Sequence, residues 1–484
     1  MVGPDFDLLI IGAGMSGIGS AVHFMEKCPG KSFAILEARD KIGGTWSLFK
    51  YPGIRSDSDM QTFGFKFKPW TNPKSISDAP SILAYLEEAV EEFDVGPHIC
   101  FGQKMSSADW SSRDAMWTVK TESGESHSCR FLLIGMGYYD YDKPHNPPLT
   151  GEANFKGPII HPQHWPDDLD YKDKKVVVVG SGATAVTIIP SMAKQTKHIT
   201  MLQRSPTWIL PQPEKDWFAN ILMKILPDNL AHRLAREKNI WRQSLIYKWS
   251  MKYPERMKKV YLNMIRKSLD LKRIEDIPEH FIPKYNPWTQ RLCVVPDGDL
   301  YESIKSGDAS VVTDHIETIT ENGIIVKSGQ HLDCDIIVKA TGIALTVMQD
   351  CPITLDGDKV DYSKAFTYEG MMYSDVPNFA YIFGYINASW TLRVDIVADY
   401  VCRLINHMSE SGDRVATPRP SEDMTPQPFV ADFNPGYIMR LLEQMPKQGE
   451  GAPWVNTQDY RRDRRILSKR PIDDGYMEFS GSSV

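Results

Sequence analysis

The chain has 484 residues, 42% of them apolar and 24% charged, with a net charge of −7. That length allows two or three domains with a large core, and the negative balance gives no overall attraction to nucleic acid. No run of 18 apolar residues occurs, so no membrane-spanning helix is expected. The N-terminal residues lack the basic and apolar regions of a signal peptide. Seven cysteines are scattered with no CxxC, which argues against a disulfide framework or a zinc site. A cytoplasmic chain whose cysteines serve as small packing residues is the expectation.

Phe6 to Ile11 is a short apolar run, as expected of a buried parallel strand. Gly12-Ala-Gly14-Met-Ser-Gly17 follows at once, then a helical pattern to about Lys27 and a strand from Phe33 to Leu36 ending at Glu37. In this arrangement Gly12 makes the tight turn, Gly14 lets the backbone approach a pyrophosphate, and Gly17 lets helix and strand pack closely. The helix N-terminus offers free N–H groups to phosphate. Glu37 can accept hydrogen bonds from ribose hydroxyls and would repel a 2′-phosphate, so this site suits FAD or NAD.

Tyr138 to Pro148 reads as a hinge. The linker after it carries Phe155, Gly157, His161 and Trp165 at fixed spacing, with Pro166 next. A second unit begins with a strand at Val176–Val179, followed by Gly180-Ser-Gly182-Ala183-Thr184-Ala185 and a helix to about Ala193. The next strand, Ile199–Leu202, ends in Gln203-Arg204-Ser205, with no acid. Arg204 and Ser205 at the ribose position can hold a 2′-phosphate by charge-assisted bonds, so this site suits NADPH. A flavin site followed by a nicotinamide site describes a two-nucleotide flavoprotein.

Roughly residues 214–273 read as helical, with Lys and Arg well outnumbering Asp and Glu and with Trp and Tyr between them. The preferred reading is an amphipathic element whose apolar face covers a substrate cleft and whose basic face is solvated; weak peripheral contact with a membrane surface is the alternative. Asp335 to Lys339 reads as a strand that closes the flavin fold, ending in the turn Ala340-Thr341-Gly342. A helix from about Trp390 to Asn406 would point its N-terminus, near Trp390 and Thr391, at the pyrimidine end of a flavin; simple packing of Trp390 is the other reading. Thr417 to Pro428 reads as a loop, and Arg461, Arg462, Arg464 and Arg465 as a solvated face or part of an interface.

The expected architecture is α/β, with two Rossmann-like dinucleotide-binding domains for FAD and NADPH. The FAD domain is discontinuous, 1–145 and 330–484. The NADPH domain spans 146–329, with a helical insert at about 214–283.

These motifs resemble the class B flavoprotein monooxygenases and, within them, the type I Baeyer–Villiger monooxygenases. Phe155-x-Gly157-x-x-x-His161-x-x-x-Trp165-Pro166 between two glycine motifs carries the resemblance. So do Gly43-Gly44-Thr45-Trp46, Tyr51 to Met60, Tyr285 to Cys293, Ala340-Thr341-Gly342 and Ser389-Trp390-Thr391-Leu392. The subgroup typified by the ethionamide-activating monooxygenase is the most similar. The resemblance implies FAD, NADPH and O2 as reactants, a C4a-peroxyflavin, and conversion of ketones to esters or lactones, with sulfide oxidation as a further activity. It implies a cofactor-binding role for Gly44, Thr45, Trp46, Thr341, Gly342, Trp390 and Thr391. Arg291 corresponds to the active-site arginine and Asp57 to the acid that pairs with it; a structural ion pair is the bland alternative. Gln290 stands where many relatives carry a lysine that helps hold the 2′-phosphate, which puts more weight on Arg204. For His161 and Trp165, control of domain movement stands beside local bonding and packing. An S- or N-oxygenating enzyme, or an uncoupled NADPH oxidase, is the alternative activity. A small-molecule ketone or sulfide is the expected substrate, and the chain is a monomer or homodimer.

Overall fold

The computed structural model describes residues 3–290, 292–430 and 435–481. Strand Phe6–Ile11 lies between Phe33–Leu36 and Ser126–Ile134, parallel to both. Its side chains alternate between two cores. Leu8 and Ile10 face a cluster with Phe24, Tyr400 and Leu404, whereas Leu9 and Ile11 face one with Trp110 and Trp117. Burial on both faces explains why the strand reads as an unbroken apolar run. Helix Met15–Lys27 leaves directly from the glycine turn. A Cβ on Gly17 would lie 1.8 Å from the Gly12 carbonyl oxygen, so only glycine permits this approach.

The second unit repeats the plan. Its five strands are parallel, in the order Ala309–Thr313, His198–Gln203, Lys175–Val179, Ile336–Lys339, Ile159–Ile160. Val176 and Val178 face one core and Val177 the other. One expectation changes here. Ile336–Lys339 pairs with Lys175–Val179 and completes the second sheet, not the first. The strand that returns to the first sheet is Phe379–Tyr381, parallel to Ser126–Ile134. A strand apolar on both faces needs cover along its edge as well, and Lys175–Val179 supplies it. The stretch from Thr417 to Pro428 is also less of a loop than expected, since both of its ends form short strands.

The basic segment forms three helices, Trp217–Ile225, Asp228–Lys252 and Pro254–Ser268. Its orientation differs from the expectation. The long helix buries a polar stripe, with His232, Arg236 and Asn239 inside at helical spacing. Arg236 donates to the carbonyls of Gln61, Thr62 and Gly64 and pairs with Asp395 at 2.8 Å. Asn239 and Gln243 donate to Asp59. His23 also meets Asp395, at 3.0 Å. At this joint the docking surface consists of backbone carbonyls and carboxylates, so the long helix turns a polar stripe inward and leaves Leu230, Leu234, Trp241 and Trp249 exposed, while Ile240, Met257, Tyr261 and Ile265 are buried. No residue of the three helices lines the central cavity.

Burial alone would raise the Asp395 carboxyl, but the His23 hydrogen bond and the Arg236 charge hold it below its ordinary range. Removing Arg236 would leave that carboxylate with His23 alone and take a donor from three carbonyls. Arg236→Ala is expected to cost about 3–5 kcal/mol of stability, read from chemical-denaturation midpoints. A loss below about 1 kcal/mol, the scale of a surface pair, would contradict the buried joint.

Candidate functional site

One cavity of about 760 Å³ lies between the two units and is lined from both. From the first unit come Gly12, Gly14, Glu37 and Arg39, then Gly44, Thr45, Trp46 and Asp57. From the second come Gly182, Ala183 and Thr184, with Gln290, Ala340 and Gly342 closing one side. The strands of both units run toward it, as expected for ligands at the carboxyl ends of parallel strands.

Glu37 is buried and both of its oxygens are engaged. One accepts the Ala13 N–H at 2.7 Å and the other the Arg39 N–H at 3.0 Å. Glu37 lines the cavity. The carboxylate therefore also braces the glycine turn, a role that the motif alone does not reveal. Arg39 donates to the Gly44 carbonyl and to Ser47. A Cβ on Gly44 would stand 3.3 Å from the Gly14 Cα, so the two glycines form a narrow cradle.

The loop carrying Asp57 spans both units. Arg55 pairs with Asp299 of the second unit at 2.5 Å. Gly53 has φ +75, and a Cβ there would fall 1.7 Å from the Ser191 hydroxyl on the second unit's first helix. Asp57 itself lines the cavity. Arg291, its expected partner, lies outside the described residues, while its neighbour Gln290 lines the wall.

Trp390 packs locally and also lines the cavity. Its indole N–H donates to Ser16 at 2.8 Å, its ring stacks 5.1 Å from Tyr138, and it lines the cavity at the start of helix Thr391–Ser411. Thr391 is placed differently, with its hydroxyl donating to the Thr62 and Phe63 carbonyls, off the wall. Thr341 likewise bonds the His145 carbonyl. Gly17 and Gly180 lie behind the turns as packing positions. Arg204 and Ser205 are exposed at the end of strand His198–Gln203, outside the cavity lining. Among the described residues Arg204 has no carboxylate partner.

Phe155, Gly157, His161 and Trp165 also stay off the wall. Gly157 packs against the Asp335 carbonyl and Trp165 against the second unit's core. His161 bonds at both ring nitrogens. Nδ1 accepts the Gln163 N–H and Nε2 donates to the Gly342 carbonyl, each at 3.2 Å. The linker thus holds the turn that lines the cavity. Beside it, buried Lys339 bonds Glu152 and the Pro147 carbonyl.

Several wall residues escaped the sequence reading. Tyr138, Tyr139 and Tyr141 belong to the expected hinge yet line the cavity, as do Gln103, Lys104 and Met105. A signal existed for the tyrosines, because Gly135-Met-Gly137 directly follows strand Ser126–Ile134, and a glycine turn after a parallel strand marks a ligand edge.

Two glycine-turn units facing one cavity define a two-dinucleotide oxidoreductase. Residues 9–237 match the family model described as pyridine nucleotide-disulphide oxidoreductase, although the chain has no CxxC pair. The chain is 48% identical over 479 residues to the FAD-containing monooxygenase EthA of Mycobacterium tuberculosis, covering 98% of this chain and 97% of that protein. It is 47% identical over 480 residues to EthA of Mycolicibacterium smegmatis, covering 98% and 97%. The chain belongs to the FAD-containing monooxygenase family. Solved structures share the fold. An oxidised steroid monooxygenase bound to NADP superposes with a TM-score of 0.76 at 21% identity, covering 98% of this chain and 99% of that one. The open form of cyclohexanone monooxygenase gives 0.74 at 20%, with coverage of 98% and 99%.

Burial pushes the His161 imidazole down to about 4 from its ordinary 6.5, only partly offset by the Gly342 bond. A folded-state value below the unfolded one favours the neutral ring. The stability it contributes is full above pH 6.5 and is lost as pH falls toward 4. Burial acts likewise on His232, also down to about 4. Histidine-selective NMR is expected to show the His161 ring neutral through the weakly acidic range. A midpoint at its ordinary value would contradict the half-buried, bonded ring.

Proposed function

We propose that the protein is an FAD- and NADPH-dependent Baeyer–Villiger monooxygenase that converts ketones to esters or lactones with O2. The observation that carries this reading is the single cavity lined by both glycine turns, with Asp57 on its wall. The residues fit an extended dinucleotide. The Gly14–Gly44 cradle admits a pyrophosphate, Glu37 presents acceptors to a ribose, and the aromatic wall of Trp46, Tyr138 and Trp390 suits a planar ring system. Gly182, Thr184 and Gln290 face the same space from the second unit.

The chemistry supplied by bound flavin, once reduced by NADPH, is the activation of O2. The chain's part is to position, to exclude water and to stabilise charge. The positive end of helix Thr391–Ser411, at Trp390, stabilises negative charge on its neighbour. Arg291 supplies a fixed cation for the oxygen that becomes negative in the transition state, and Asp57 tunes that cation. Arg204 and Ser205, exposed just after strand His198–Gln203, would hold the 2′-phosphate of NADPH. His161 keeps the Gly342 turn in place through a neutral ring, so it acts as a positioning residue and not as a base.

The holoenzyme incubated with NADPH, O2 and a panel of ketones and sulfides is expected to give esters, and sulfoxides from the sulfides. Hydrogen peroxide as the sole product across the panel would sink the proposal. Arg291→Ala should keep its flavin absorbance and lose ester formation; retained ester turnover refutes its role. Arg204→Ala should raise the KM for NADPH about 10- to 100-fold, as loss of a charge-assisted bond of about 1.5–3 kcal/mol requires. The KM for NADH should be unchanged; equal loss with both cofactors would mean that Arg204 does not read the phosphate.

A further inference from the structure

The outward face of the three-helix insert has no role in the activity proposed above. Trp217, Ile225, Trp241 and Trp249 are 70%, 68%, 54% and 54% exposed. Trp217, Ile221 and Ile225 recur every four residues and form one stripe along their helix. On the long helix Leu230, Leu234 and Trp241 lie nearly opposite the buried stripe of His232, Arg236 and Asn239. The polar joint therefore forces the apolar side chains outward. Isolated surface apolar residues need no explanation, but large apolar side chains repeating along the exposed side of a helix do.

The charge on this face is the second observation. Residues 217–268 hold twelve Lys and Arg against three Asp and Glu, in a chain whose net charge is −7; Arg236 is buried in the joint and Lys238 pairs with Asp216, and most of the others stand at the surface. Lys224, Arg242, Lys252 and Lys259 have no carboxylate partner among the described residues. Helix Tyr460–Leu467 extends the same basic surface. It is fastened to the insert by Arg464–Glu237 at 2.5 Å and Lys248–Asp459 at 2.9 Å. Its Arg461, Arg462 and Arg465 are exposed.

We infer that this face docks on the surface of an anionic lipid bilayer. Exposed tryptophans flanked by unpaired cations suit the headgroup boundary, where rings insert and ammonium and guanidinium groups meet phosphates. Charge complementarity selects this occupant over a second copy of the chain, because a two-fold contact through the same face would set cations against cations. No helix of the described residues is long and apolar enough to cross a membrane, so the contact is peripheral. The inference stands apart from the oxygenation chemistry.

The test is co-sedimentation of the holoenzyme with phosphatidylcholine vesicles that contain or lack phosphatidylglycerol. Binding is expected to the acidic vesicles, weakening as salt rises. Trp217→Ser with Ile221→Ser and Ile225→Ser should lower vesicle affinity about ten-fold or more. Lys224→Glu with Arg242→Glu and Lys259→Glu should remove the preference for acidic lipid. All six positions are exposed, so both variants should keep the wild-type thermal transition and turn over a water-soluble substrate normally. A wild-type holoenzyme that stays in the supernatant with acidic vesicles overturns the inference. So does a triple apolar variant that binds as tightly as wild type. Self-association that the apolar variant abolishes, without vesicle binding, would assign the face to a second copy instead.

Discussion

Two parallel sheets must hold their strand carboxyl ends against one shared space, and most of the molecule's unusual contacts serve that requirement. The cavity has no wall of its own; it exists only while both units stay in register. Arg55–Asp299 ties the Asp57 loop to the second unit. His161 ties the interdomain linker to the Gly342 turn. Lys339, buried at the end of the second sheet's added strand, ties the same region to Glu152. Each is a directional polar contact in a partly desolvated place, where a misplaced partner costs more than in water. Such contacts fix geometry more tightly than apolar packing, which tolerates sliding.

The same logic governs the insert. A helix docked through apolar packing would have hidden its tryptophans. Instead Arg236, Asn239 and Gln243 answer a row of backbone carbonyls and the carboxylates of Asp59 and Asp395. The buried polar stripe specifies one orientation, and that orientation leaves an apolar, cationic face to solvent. Position of the insert and character of its surface are thus one decision.

Membership in the FAD-containing monooxygenase family accounts for the order of the motifs, and the cavity accounts for why both motifs are needed. Glu37 illustrates how closely scaffold and site are joined. It is the acid proposed to meet a ribose, and it also bonds the Ala13 N–H of the glycine turn. A change there alters binding and local folding together.

Much of the fold was legible in the residues themselves. Strands apolar on both faces, glycines at fixed spacing after them, and an acid or an arginine at the next strand's end are local signals with local causes. They located both nucleotide units and most of the cavity's glycine and small-residue wall. Other features depend on what meets across the chain. Ile336–Lys339 is an apolar strand in either sheet, and only pairing with Lys175–Val179 decides which. Tyr138 and Tyr139 read as hinge residues until the fold turns them toward the cavity. Thr391 belongs to a recognisable motif, yet its hydroxyl goes to carbonyls 329 and 328 residues away in sequence. The direction of the insert's apolar face was open for the same reason. Periodicity defines two faces of a helix, but which one is buried depends on the surface it meets, and that surface is assembled from distant segments of the chain.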